Sequence, residues 1–192
     1  MGRLCYIMGI KIELQERKKI EKALNDFLNA YKLKLLPPVD VFQFATQIDF
    51  DVRGTEFNDN LEGLILVNEN LDVIPGFNSN KVIAYNCKAS IETKKFIVAH
   101  ELAHYIAAKH ENVNEKIIVA ARDHSYGYSD DADEQCKDYM AAAILIPMED
   151  FKNRYSKNDV SKSQEFYSKV AEFYNVDVKL AERRTLEVFY EQ

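Results

Sequence analysis

The sequence predicts an α+β fold in which a small twisted sheet of about three strands packs on a central apolar helix, with further helices around it. Three observations lead there. Near both ends of the chain, apolar residues recur at three- and four-residue steps, the mark of amphipathic helices. Between Phe50 and Asn86 the pattern changes to short apolar runs broken by Pro, Gly and Asn. From Ser90 the helical pattern returns, heavily apolar, and carries His100-Glu101-Leu102-Ala103-His104.

The first helix is predicted from Ile12 to Leu33, with Ile20, Leu24, Phe27, Leu28 and Tyr31 on its buried face. Pro37 and Pro38 end it, because proline cannot continue a helix and biases its predecessor to extended geometry. Asp40 can cap a second, short helix through Gln47. Strands are expected at Phe50 to Arg53, Gly63 to Val67 and Lys81 to Asn86, with turns at Pro75-Gly76 and Asn78-Ser79-Asn80. The central helix follows, with capping residues between Ser90 and Thr93. A polar loop is expected from Arg122 to Asp133, then a helix from Asp133 to Leu145 that stops before Pro147. Ser163 to about Val188 reads as two helices around Tyr174-Asn175-Val176-Asp177. No repeat, low-complexity tract or linker interrupts the chain. It reads as one domain over 1–192, with an N-terminal helix over 12–35, a core over 37–150 and C-terminal helices over 160–190.

Composition narrows the function classes. The formal net charge is -6, with acids and bases interleaved, which argues for solubility and against sequence-independent binding to phosphate backbones. Cys5, Cys87 and Cys136 are far apart and odd in number, so neither a disulfide framework nor a cysteine zinc knuckle is suggested. Reduced thiols point to a cytoplasmic setting. The apolar run from Leu4 to Ile10 is too short for a membrane span and lacks a small-residue cleavage site. Met8 is a second candidate start.

The chemistry concentrates in the His100–His104 pentad. Residues four apart on a helix point from nearly the same face, so the two imidazoles can share one Zn²⁺. Glu101 is rotated by about 100° from His100 and can act as general base toward a water polarised by the metal. Histidines satisfied within a core are the bland alternative, but two His and a Glu are costly to bury on an apolar helix without partners. A catalytic zinc needs a third protein ligand and an open position. Glu134 is the candidate, with Asp138 four residues on, placed to receive the outer N–H of a ligating histidine. A solvated acidic face is the competing reading, and Asp130, Asp131 and Asp133 favour it; Met140, Ala141, Ala142, Ile144 and Leu145 favour burial.

His110 is a rival third ligand by its spacing from His104. That geometry needs a glycine to break the helix, and Ala107-Ala108 prolong it instead. His124, Tyr126 and Tyr128, in the polar loop, are candidate donors to a developing oxyanion.

Taken together, these segments resemble the ImmA/IrrE family of zinc-dependent peptidases. Besides the pentad, the resemblance rests on Pro38-Val39-Asp40-Val41, on Gly63-Leu64-Ile65, on Val82-Ile83-Ala84-Tyr85-Asn86 and on the run from Glu134 to Pro147. Val170 to Asp177 is similar to the family's tail segment, so the likeness spans about Pro37 to Val188. Lys137, Met140 and Ala103 depart from the usual pattern, and none of them is a ligand or the base. The resemblance implies a zincin-like fold and a cytoplasmic endopeptidase whose substrate is a regulatory protein, often a helix-turn-helix repressor of a phage or mobile element. An acidic enzyme suits such a basic partner. A module that keeps the fold and metal but acts by sequestering a partner is the alternative, and an intact Glu101 weighs against it. A secreted metzincin-like protease is disfavoured by Ala107 and the reduced-looking cysteines. Mn²⁺ and Fe²⁺ also suit a two-histidine, one-carboxylate site.

Overall fold

The computed structural model describes residues 12–57, 61–111, 117–122 and 131–190. Helix α1 (Leu14–Tyr31) buries Ile20, Ala23, Leu24 and Phe27 along one stripe, and ends at Lys32 in the left-handed conformation (φ 55°). Leu33 N–H then bonds back to Leu28 C=O at 2.8 Å, closing the last turn. Helix α2 (Val41–Gln47) begins where Asp40 accepts from the N–H groups of Phe42 and Gln43 at 3.1 and 3.0 Å.

The sheet has four strands rather than the three expected: β1 (Asp51–Thr55), β2 (Gly63–Asn68), β3 (Lys81–Asn86) and β4 (Ile117–Arg122). Their order is β1-β3-β2-β4, with β1 parallel to β3 and the other pairs antiparallel. Ile65 on β2 stands opposite Ile83 on one side and Ala120 on the other. The strand missed by sequence reasoning is β4, a short apolar run of the same kind as those read as strands between Phe50 and Asn86. Its state is decided by pairing with β2, a contact far away in sequence.

Helix α3 (Ile91–His110) carries the pentad through the middle of the molecule, packed on β2 and β3 and on α1, α2 and α4 (Ala132–Leu145). Every residue from Lys95 to Ala103 is buried, which explains why the helix is apolar on all sides rather than along one stripe. Helix α5 (Met148–Arg154) starts right after Pro147 and was not foreseen, since seven residues are too few for a period to show. Helices α6 (Gln164–Tyr174) and α7 (Val178–Phe189) form the expected pair, joined through Asn175 in the left-handed conformation (φ 54°).

Two buried cations fasten the helical layer. Arg184 of α7 is fully buried; it donates to Glu21 of α1 at 2.7 Å, to Glu187 at 3.2 Å and to the Ile146 carbonyl at 3.1 Å. Tyr139 of α4 donates to the same Glu21 oxygen at 3.2 Å, so α1, α4 and α7 meet at one charge cluster. Lys95 on α3 reaches the Asn175 carbonyl at 3.2 Å and ties α3 to the α6–α7 corner. Among the described residues, no helix is long and apolar enough to cross a membrane.

Candidate metal centre

Helix α3 starts where Ser90 Oγ accepts from Thr93 N–H at 3.2 Å. Two and a half turns on, His100 and His104 lie one turn apart, ring centroids 5.0 Å from each other and planes inclined at 70°. Their Nε2 atoms face each other at 3.2 Å. Helix α4 brings the acid: Asp131 caps it by accepting from Asp133 N–H at 2.8 Å, and Glu134 stands in its first turn. Carboxylates are favoured there by the helix dipole. Glu134 Oε2 lies 3.1 Å from His100 Nε2, and Oε1 lies 3.5 Å from His104 Nε2. One turn further, Asp138 Oδ1 lies 2.8 Å from His100 Nδ1. The fold thus brings together His100, His104, Glu134 and Asp138, four of the five residues singled out by sequence.

The fit to a metal can be tested on proton count. A neutral imidazole has one N–H, and the 2.8 Å contact places it on Nδ1, donated to the Asp138 carboxylate. His100 Nε2 then turns a lone pair toward His104 Nε2 and Glu134 Oε2. His100 Nε2, His104 Nε2 and the two Glu134 oxygens stand at 3.1, 3.2 and 3.5 Å, and where each presents a lone pair they repel unless a cation sits among them. A tetrahedral ion with ligands at about 2.0–2.2 Å separates its ligand atoms by about 3.3–3.6 Å. The observed spacings are close to that, and His100, His104 and Glu134 suit a metal ion.

Electrostatics agree. Burial pushes His104 down to about 4, helped by the neighbouring His100 and opposed by Glu134. Its ring is therefore neutral near pH 7, the form that binds metals. The neighbouring His100 holds the Glu134 carboxyl below its ordinary range, against the effect of its own partial burial. The His100 N–H goes to Asp138, whose contact is the shorter and whose carboxylate is 6% exposed against 34% for Glu134.

Glu101 faces the sheet. It is fully buried, both carboxylate oxygens included, and lies over the start of β2. His110 does not join the cluster: α3 continues unbroken to it, and its Nε2 is 3.8 Å from Asp26 Oδ2 on α1. His124, Tyr126 and Tyr128 lie outside the described residues. Asp133 is exposed and pairs with Lys137, one turn along α4.

A profile of the IrrE N-terminal-like domain, a family of peptidases, matches residues 50–186. The chain belongs to this family. The match includes the whole sheet, both histidines, Glu134 and Asp138, and leaves α1 and α2 before it. No curated protein matches the chain. Beyond the pentad, this IrrE-like domain holds one contact that sequence reasoning missed. Arg183 on α7 approaches Asp138 Oδ2 at 3.8 Å and donates to Glu187 at 2.9 Å. Nothing in the local sequence of α7 points to α4, so no sequence signal could have found it.

Proposed function

We propose that this chain is a zinc-dependent endopeptidase that hydrolyses a peptide bond in a specific cytoplasmic regulatory protein, a helix-turn-helix repressor of a phage or mobile element. The observation that carries the hydrolytic reading is the convergence of His100 Nε2, His104 Nε2 and the Glu134 carboxylate, one residue from the buried Glu101, in a chain of a peptidase family. The repressor as substrate rests on the family resemblance and on the acidic character of the chain, which suits a basic partner.

In this reading His100, His104 and Glu134 hold the ion, and Asp138 fixes the ring of His100 and makes it a better donor. Zinc held there would supply Lewis acidity and would make a water molecule more acidic. Glu101 accepts the proton of the attacking water and returns it to the leaving amine. Among the described residues β4 pairs only with β2, and the main-chain groups of its other side suit an extended peptide substrate.

The test starts with metal content of the purified chain and of its His100→Ala and Glu134→Ala variants. One zinc per chain, lost in both variants, supports the centre; no metal in the unaltered chain sinks it. Incubation with candidate repressors then reads catalysis, with products identified by mass spectrometry. Cleavage that disappears in a metal-bearing Glu101→Gln variant supports proteolysis, whereas unchanged function in that variant favours a partner-sequestering module.

A further inference from the structure

The start of β2 is shaped around Glu101. Burial alternates along the strand, with Gly63, Ile65 and Val67 buried and Leu64, Leu66 and Asn68 half-buried. A Cβ added at Gly63 would stand 2.7 Å from Glu101 Oε1 and 2.4 Å from Ile97 Cγ2, both closer than side chains approach one another. The backbone does not require glycine there. Among the described glycines, Gly76 alone has a left-handed φ, and Gly63 has a strand conformation open to any residue. Glycine inside a strand weakens it, and often marks a place where something must approach closely. Here the approaching groups are Ile97 Cγ2 and the carboxylate of Glu101, which share the volume a side chain at 63 would take.

Neither partner can readily retreat. Gly63 stands opposite Tyr85 on β3 and Arg122 on β4, and the preceding Glu62 carbonyl accepts from Asn86 N–H at 2.8 Å. On the other side, α3 is fixed by its core residues Ile97, Val98 and Leu102. The gap between strand and helix is therefore set by the fold, and the absence of a side chain at 63 leaves room in it for one carboxylate.

We propose that Gly63 is a positioning residue for the general base: its missing side chain lets the Glu101 carboxylate lie against β2, one residue along α3 from His100. The inference rests on Glu101 acting as base in the proposed peptidase. A purely structural role would instead come from Ile97, the other group a side chain would strike, and the two can be separated.

The experiment uses the full chain loaded with Co²⁺, whose visible absorption as a function of pH reports ionisation at the metal. The variants are Glu101→Gln, Ile97→Ala, Gly63→Ala and the Gly63→Ala/Ile97→Ala pair, in which the Ile97 obstacle is gone. Ile97→Ala is expected to titrate like the unaltered chain. Glu101→Gln is expected to move the titration by about one pH unit, a tenfold change in the ionisation constant. Gly63→Ala, alone and paired, is expected to move it in the same direction by at least half as much. If the paired variant titrates with Ile97→Ala, the inference about Gly63 is overturned while the base assignment stands. A titration indifferent to Glu101→Gln overturns both. Thermal unfolding decides even for variants that bind no Co²⁺. In the Ile97→Ala background, Gly63→Ala should lower Tm markedly less when Glu101 is Ala, and equal losses overturn the proposal.

Discussion

Nδ1 of His100 lies 2.8 Å from Oδ1 of Asp138, a contact between the middles of two helices whose residues are 38 positions apart. It fixes which nitrogen of His100 faces His104 and Glu134, and leaves that nitrogen with the lone pair a metal ligand needs. Removing an outer carboxylate of this kind commonly weakens metal affinity by about 10–100-fold. Asp138→Asn is expected to do so here, read by competition with a chromophoric chelator. An unchanged affinity would remove Asp138 from the site.

His110 has the spacing of a third histidine ligand but lies at the far end of α3, 40% exposed and beside Asp26. His110→Ala should leave metal stoichiometry at its original value, whereas Glu134→Ala should abolish it. Elemental analysis of the two variants side by side checks this, and metal loss on changing His110 would reverse the assignment.

Arg184 has no exposed surface and is shared among Glu21, Glu187 and the Ile146 carbonyl. Truncating it strips Glu21 of its buried cation and leaves Glu187 with Arg183 alone, and breaking a buried pair costs about 3–5 kcal/mol. Arg184→Ala should therefore lower the urea midpoint strongly. A midpoint within error of the unaltered chain would show that the cluster adds nothing to stability.

Ser90 caps the helix that carries both histidines. Ser90→Ala should cost about 1 kcal/mol by thermal unfolding. It should leave metal content intact, because α3 is held along its length by the core. Metal loss in that variant would mean the ligand geometry depends on the helix start more than its burial suggests.

Much of the site was legible because its signals are local. His100, Glu101 and His104 lie within five residues, and helical geometry alone aligns the two imidazoles. Glu134 and Asp138 could be paired by the same one-turn spacing, although the partner histidine of each could not be read from it. Elements with a clear period or cap were found at nearly their observed ends, as with Asp40 and Ser90. Strand β4 and helix α5 were not, since one is fixed by pairing with the distant β2 and the other spans two turns.

By itself, the sequence determined an α+β chain with an apolar helix bearing two histidines and a glutamate, because periodicity, caps and ligand spacing act over a few residues. Only the tertiary structure decided which acid faces which imidazole nitrogen, that His110 stays away, that β4 pairs with β2, and that Glu101 rests over Gly63. Those outcomes depend on how distant segments pack, and no local pattern records the distance between a strand and the helix laid across it.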